Sequence, residues 1–147
     1  MKSIIRSIKP YWLYLILIGK KKCEIGKNIP QDPEWDRIVY LYCSKDLKSL
    51  RRIPKEDRVW MAKYLGKIAC YFKCDMTVEA LTQRPGTTIP HFNTYVIKEA
   101  CMSNKEALDY SKGKTLYAWS ISDLTIYNQG TQCPGRPPQS WKYINAA

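Results

Sequence analysis

Apolar residues in the first part of the chain occur in runs whose spacing changes from that of a strand to that of a helix. The run SIIRSI, Ser3–Ile8, is interrupted by Arg6 and predicts a strand. Pro10 suits the first turn of a helix, where its missing N–H needs no partner, and Gly19 suits the left-handed residue that ends one. We therefore predict a strand followed by a helix from Pro10 to Gly19.

This predicted helix is apolar on every side, so it must be covered on more than one face, and we expect it to pack against a sheet. Its apolar run, Tyr11–Ile18, has 8 residues, whereas a helix that crosses a bilayer needs roughly 20. The residues after the run offer no cleavage site of the kind that a signal peptide requires. The run therefore predicts a core helix, no membrane association and a cytoplasmic protein.

Four further strands follow from the pattern. The segment KKCEIGK after the helix and the segment Arg37–Ser44, rich in β-branched and aromatic residues, each predict a strand, and the second should be central in its sheet. The segments Tyr64–Thr77, with Gly66 as a bulge or tight bend, and Thr115–Tyr127 each predict one long strand. Polar or turn-rich connections separate these strands at residues 28–36, 45–58 and 82–93.

Ser103 and Glu106 have the spacing of a capping box and predict a short helix that ends at Gly113. The last segment is rich in Gly, Pro and Gln, but Trp141, Tyr143 and Ile144 near its end predict that it folds back onto the body. The pattern as a whole predicts one α+β domain over residues 1–147, a small β-barrel with short helices at its rims.

The charge of the chain is strongly uneven. Its formal net charge is +11, and residues 1–73 contain 17 Lys and Arg against 7 Asp and Glu, whereas residues 74–147 contain 7 against 6. A basic half of this kind predicts either a polyanionic partner, because Lys and Arg release counterions from phosphates, or simply a solvated lysine-rich face.

The cysteine and histidine content favours neither a metal nor a cofactor. The six cysteines, without a secretion signal, predict reduced thiols, most of them small core residues. Cys70 and Cys74 do not have the spacing of a zinc knuckle, and His91 is the single histidine of the sequence. We predict no metal site and no cofactor.

The order of several motifs resembles that of the ASCH domain family of the PUA-like superfamily, especially its phage and bacterial members. The motifs are Gly19-x-Lys21-x-x-Glu24 after the helix, YLYCS, YAWSISDLTIY and the late PPQSWKYI. The resemblance covers nearly the whole chain. It implies a pseudo-barrel of the PUA type, with a cleft beside the amino-terminal helix that holds RNA or a modified nucleotide.

The chain departs from the family pattern at two positions. Relatives have an Arg where this chain has Gly26, which weakens the expected grip on phosphate, and a histidine where this chain has Ser120. Some ASCH-like proteins act as amidohydrolases on acylated cytidine, and others are associated with ribonuclease activity. Lys21 matches the amidohydrolase lysine, but Glu24 takes the place of the threonine nucleophile, so catalysis through these two residues stays an alternative.

The resemblance, the charge and the aromatic residues together predict binding of RNA or a nucleotide, since binding needs only cations and ring faces. Trp119 and Trp141 either stack on bases or pack in the core. A third alternative is a phage or mobile-element accessory protein that binds a host protein through residues 45–58. The residues that we assign to nucleic-acid binding are Lys21, Lys22, Glu24, Lys27, Ser44, Lys45, Trp119, Ser120, Gln139 and Ser140.

Overall fold

The computed structural model of the protein describes residues 3–30, 37–84, 86 and 89–144. Nine strands and five α-helices are found in this part of the chain. The strands β1–β9 are Ser3–Ile8, Cys23–Gly26, Arg37–Cys43, Ile68–Cys74, Thr77–Thr82, His91–Phe92, Leu116–Ser120, Ser122–Thr131 and Trp141–Ile144. The helices α1–α5 are Pro10–Leu17, Leu47–Leu50, Lys55–Met61, Thr94–Glu99 and Asn104–Ser111.

The strands form two sheets that do not close into a single barrel. The first sheet has the order β8-β4-β3-β1-β9, and the second has the order β2-β7-β5-β6. Strand β3 is central in the first sheet, as predicted, and pairs in parallel with β1 and antiparallel with β4. The α+β class and the short helices that the pattern predicts are confirmed, and the two sheets form the pseudo-barrel that the family resemblance implies in place of a closed barrel.

Helix α1 follows β1 directly and is buried against the first sheet, as its apolar sequence predicts. Leu13 and Ile16 are almost completely buried, in one cluster with Leu41 of β3 and Phe72 of β4. The helix ends at Gly19, whose φ is +81°. The N–H groups of Gly19 and Lys20 bond to carbonyls of the last helical turn, which closes the helix end in a Schellman motif.

The second sheet has its own core. Ile25 of β2, Leu81 of β5 and Leu116 of β7 pack with Ile97 of α4 and Ala107 of α5. Helix α5 begins with the predicted capping box between Ser103 and Glu106, while α4 was not predicted. Because β1 and β2 flank α1 but belong to different sheets, the exit of α1 lies where the two sheets meet.

Three sequence predictions differ from the structure. The predicted strand Tyr64–Thr77 is shorter: β4 begins at Ile68, because residues 62–64 form a 3₁₀ turn and Gly66, at φ +74°, lies in the turn before the strand. It ends at Cys74, and Thr77 begins β5, which was not predicted and belongs to the other sheet. The predicted strand Thr115–Tyr127 is two strands, β7 and β8, which belong to different sheets. The polar connection 45–58 contains no strand, as predicted, but it forms α2 and part of α3.

The carboxyl-terminal segment folds back as predicted, because β9 pairs antiparallel with β1 and brings Trp141 opposite Arg6. The six cysteines all lie in described residues and are free thiols, and five are buried, which confirms that most are core residues. None of the helices in the described ranges has the length and apolarity to cross a membrane. The predicted loop 28–36 lies largely outside the described residues.

Candidate functional site

A cavity of about 370 Å³ lies at the junction of the two sheets, beside the first turn of α1. This volume is in the range of small-ligand sites in proteins. The cavity is lined by residues of β1, α1, β2 and α5 and by residues of the connections on either side of α1, after β3, before α5 and before β9. The lining residues that matter below are Arg6, Lys9, Trp12, Lys21, Glu24, Ser44, Met102, Tyr110 and Gln139.

Three of these residues form what we call the buried charge cluster: Arg6, Lys21 and Glu24. Their exposed fractions are 4%, 3% and 7%. The Nε atom of Arg6 lies 3.3 Å from Oε2 of Glu24, and the Nζ atom of Lys21 lies 3.3 Å from Oε1 of the same carboxylate. Two cations thus share one anion, which leaves the cluster with a net charge of +1.

The end of α1 positions Lys21. Its backbone N–H bonds to the carbonyl of Leu15 at 2.9 Å, so the side chain leaves the helix end in a fixed direction. The ammonium donates to the carbonyl of Ala100 at 2.9 Å and lies 5.1 Å from the centroid of the Trp12 ring. Lys21 is therefore held by a carbonyl, a carboxylate and an aromatic face, which compensates for its burial.

Glu24 is held in its ionised form. Burial by itself would raise the pKa of this carboxyl, but Lys21, Arg6 and the N–H of Ile25, which donates to Oε1 at 2.9 Å, outweigh that effect and lower the pKa below its ordinary value. A general acid must carry a proton, so the arrangement suits the positioning of cations better than proton donation.

Sequence reasoning missed Arg6 as a site residue and treated it as an interruption of an apolar strand. The Nη2 atom of Arg6 donates to the carbonyl of Ile25 at 2.7 Å, so this side chain connects β1 of the first sheet to β2 of the second. Gly26 makes room for it, since a Cβ atom there would lie 2.9 Å from both terminal nitrogens. The sequence signal that could have identified Arg6 as a site residue was its charge, because an arginine inside a buried strand is normally paired.

Two polar atoms of the lining have no partner among the described residues. Nη1 of Arg6 and Oγ of Ser44 are both buried and have no partner at hydrogen-bond geometry, while the hydroxyl of Tyr110 lies beside the Arg6 guanidinium and interacts with its charge. Such atoms are rare in folded proteins and call for a specific explanation. Since Arg6 carries only donors and the Ser44 hydroxyl can donate as well, a molecule bound here would have to offer acceptor oxygens.

Two buried thiols of the core are poorly suited to nucleophilic chemistry. Burial raises the pKa of the Cys43 and Cys70 thiols to about 12, so both stay protonated and poorly nucleophilic at neutral pH. Within the described ranges, no group of three or more His, Cys, Asp or Glu side chains is placed to hold a metal ion.

Solved structures of known proteins share this architecture. The ASCH protein of Zymomonas mobilis matches with a TM-score of 0.65 and 16% sequence identity, over 98% of this chain and 88% of that one. Two point mutants of that protein match at 15% identity with TM-scores of 0.65 and 0.66, over 98% and 99% of this chain and 89% and 91% of theirs. This chain has the ASCH fold. No protein-family model and no curated protein matches its sequence.

Four residues that the sequence assigned to binding meet at the cavity of this ASCH fold. Lys21 and Glu24 lie in its buried part, Ser44 lies at the end of β3, and Gln139 comes from the segment before β9. Glu24 also pairs with Trp119 across β2 and β7, so the motif after α1 and the late strand motif are neighbours, as predicted. The placement of these residues fits the sequence prediction, while their role in binding stays a prediction.

The other assigned residues lie outside this lining. Lys22, Lys45 and Ser140 are exposed, and Lys27 lies 4.7 Å from the Tyr110 ring at the edge of the cavity. Trp119 and Ser120 are described below. The role of these residues in binding stays a prediction.

Trp119 and Ser120 have structural partners in this ASCH fold. Trp119 is fully buried, with Arg6 5.0 Å and Trp141 6.2 Å from its ring centroid, so core packing of the ring is the alternative that the structure favours. Its indole Nε1 atom, however, has no hydrogen-bond partner among the described residues. The hydroxyl of Ser120 accepts hydrogen bonds from the N–H groups of Asp75 and Met76, both at 3.1 Å, and holds the turn between β4 and β5.

Proposed function

We propose that the chain binds RNA or a modified nucleotide and that the cavity beside α1 holds the bound nucleotide. The observation that carries the proposal is the pair of buried, unpartnered polar atoms, Nη1 of Arg6 and Oγ of Ser44, in a lining of net positive charge. A phosphate or carbonyl oxygen of a nucleotide would satisfy both atoms. The basic amino-terminal half and the ASCH fold support the same ligand class.

The net charge of the lining favours an anionic ligand over a neutral one. Arg6, Lys9 and Lys21 contribute three positive charges, and Glu24 contributes one negative charge. A guanidinium donates to phosphate in a planar geometry, and burial strengthens such a charge-assisted hydrogen bond. A nucleotide, with its phosphate, therefore fits the lining better than a nucleoside.

Substitution of Ser44 gives a direct test. The Ser44 hydroxyl has no partner among the described residues, so Ser44→Ala should preserve the fold while removing a contact to the ligand. We expect the affinity for a fluorescent single-stranded RNA of mixed sequence to fall about tenfold, roughly the value of one hydrogen bond to a charged group. The matched control is Thr125→Val, which removes an exposed hydroxyl from β8, outside the lining.

Titration with each of the four ribonucleoside monophosphates and with the RNA, at several salt concentrations, completes the test. Binding through phosphate should weaken steadily as salt is added. If neither probe binds at low salt, or if Ser44→Ala binds as tightly as the parent, the proposal is wrong.

The hydrolase alternative is tested on the same preparation. Labelled RNA and an acylated nucleoside are incubated with the parent and with Glu24→Gln, and products are separated by chromatography. Turnover by the parent that is lost in a variant shown by thermal unfolding to be folded would assign catalysis to Glu24 and make the cavity an active site. Binding without turnover would leave the chain a binding protein.

A further inference from the structure

We propose that the surface of α1 and α2 next to the cavity carries a single strand of RNA, so that the bound nucleotide belongs to a strand and is not free. We call this surface the basic face and define it by Lys9, Tyr11, Trp12, Lys48 and Arg52. This inference rests on the proposed function, because it assumes that a nucleotide occupies the cavity.

The guanidinium of Arg52 is the central feature of the basic face. Its carbon Cζ lies 3.9 Å from the centroid of the Tyr11 ring and 5.3 Å from that of the Trp12 ring, although the residue is exposed. No carboxylate pairs with Arg52 in the part of the chain that the structure describes. A guanidinium held over a ring keeps N–H groups available for phosphate and loses less entropy on binding.

The basic face is continuous with the cavity. Trp12 and Lys9 belong both to this face and to the cavity lining, and the rings of Tyr11 and Trp12 are 5.1 Å apart in an edge-to-face arrangement. The N–H of Tyr11 donates to Oγ of Ser49 at 2.9 Å, which fixes α2 beside the start of α1. A strand whose nucleotide enters the cavity would thus cross Trp12 and reach Arg52.

Nearby carboxylates leave the basic face positive. Asp46 lies 3.6 Å from the ammonium of Lys9 and neutralises it in part. Asp57 is engaged elsewhere, since it accepts hydrogen bonds from the hydroxyl of Tyr14 at 2.6 Å and from the indole of Trp60 at 3.1 Å. Glu56 is exposed and follows Lys55 in the chain. The cations that remain are Arg52, which lies over two half-buried aromatic rings, and the exposed Lys48 of α2.

Aromatic rings beside unpaired cations distinguish single-stranded RNA from an acidic protein as the partner. Bases stack on rings and guanidinium planes while phosphates meet the cations, so one short surface can bind both parts of a nucleotide. An acidic peptide would use the cations but not the rings. The basic face combines both groups within a few ångströms, and this favours RNA.

The experiment compares a single nucleotide with a strand. Fluorescence anisotropy measures the affinity for a single-stranded RNA of about 10 nucleotides, and calorimetry measures the affinity for the ribonucleoside monophosphate that binds best. The variants are Arg52→Ala, Arg52→Lys and, as a matched control, Arg84→Ala, whose arginine lies 3.9 Å from Glu79 of β5 in the other sheet. Thermal unfolding verifies that each variant is folded.

We expect Arg52→Ala to lower the affinity for the RNA strand about tenfold and to make it less sensitive to salt, because one phosphate contact is lost. Affinity for the mononucleotide should not change. Arg52→Lys should give an intermediate loss, since the charge remains but the planar guanidinium with its several donors is lost. Arg84→Ala should behave as the parent.

Three results would overturn the inference. They are an Arg52→Ala variant that binds the strand as the parent does, equal losses for strand and mononucleotide, and a polyglutamate peptide that binds through Arg52 more tightly than RNA. These results differ from a failure of the proposed function, in which Ser44→Ala has no effect or the parent binds no nucleotide at all.

Discussion

The buried charge cluster and the basic face lie on either side of Trp12, but they hold their cations in opposite ways. In the cluster, Arg6 and Lys21 are almost fully buried and share the carboxylate of Glu24. On the basic face, the ion pair of Lys9 and Asp46 spans 3.6 Å with the lysine side chain 65% exposed. Solvent screens the second pair and hardly reaches the first.

The difference teaches that the two regions suit different tasks. Buried charges that are fixed by hydrogen bonds define a geometry and can select a ligand by its shape and acceptors. Exposed cations on mobile stems supply attraction and orientation that any phosphate can use. A protein that selects one nucleotide within a strand needs buried, fixed charges as well as exposed cations. Here the buried charge cluster and the basic face both adjoin the start of α1.

The largest effect should come from removing the anion of the buried charge cluster. Glu24→Gln leaves Arg6 and Lys21 buried without a carboxylate, and breaking a buried pair in this way costs about 3–5 kcal/mol of unfolding free energy. Urea denaturation measures the loss. The matched control is Glu79→Gln, which removes the same charge from an exposed pair with Arg84 and should cost at most about 1 kcal/mol. Equal losses in the two variants would contradict the comparison.

Acid should weaken the cluster through the same carboxylate. Because the pKa of Glu24 is lower in the folded chain than its ordinary value, the unfolded chain takes up a proton first as the pH falls. The stabilisation is complete above pH of about 4.3 and is lost as the pH falls towards the folded pKa. We expect the difference in unfolding free energy between the parent and Glu24→Gln to shrink over this range, measured by urea denaturation at several pH values. A difference independent of pH would show that the charge of Glu24 is unimportant.

Gly26→Ala should disturb the cluster less, because it adds one methyl group and removes no charge. The new Cβ atom would lie 2.9 Å from both terminal nitrogens of Arg6, so the guanidinium must shift and its bond to the carbonyl of Ile25 must weaken. We expect a loss of about 1–3 kcal/mol in urea denaturation together with weaker RNA binding. Thr125→Val serves again as the neutral control, and an unchanged affinity of Gly26→Ala would place Arg6 outside the ligand site.

The sequence predicts well those elements that local chemistry determines. Pro10 marks the start of α1 and Gly19 follows its end closely, and Ser103 with Glu106 marks the start of α5. These predictions succeed because the residues that start and end a helix act within one turn. Strand β3 could be placed in the centre of its sheet since a strand buried on both faces contains few polar residues. The meeting of Lys21, Glu24 and Ser44 at one cavity followed from the family resemblance and not from any local pattern.

Features that depend on distant partners could not be predicted in this way. The alternation of Thr115–Tyr127 is continuous, yet the chain passes from one sheet to the other near Ile121, and Asp123 takes a φ of +50°. In the sequence, Arg6 only interrupts the apolar pattern of β1. Its role becomes clear when the carbonyl of Ile25 and the carboxylate of Glu24, both in β2, are placed beside it. In each case the deciding contact joins residues that are far apart in the chain.

Helix α2 was not predicted from the sequence, for a different reason. It also offers the test of the comparison with the smallest expected effect on stability. Its many cations suggested a loop, but Asp46 caps the helix by accepting a hydrogen bond from the N–H of Ser49 at 3.0 Å. Asp46→Ala should cost about 1 kcal/mol of unfolding free energy, the usual value of a lost cap, whereas Asp46→Asn keeps the cap and loses only the screened pair with Lys9. We therefore expect urea denaturation to show a near-neutral asparagine variant. If asparagine destabilises the chain as much as alanine does, the charge of Asp46 contributes more to stability than its cap of α2. The ion pair with Lys9 on the basic face would then resemble the pairs of the buried charge cluster, despite the exposure of Lys9.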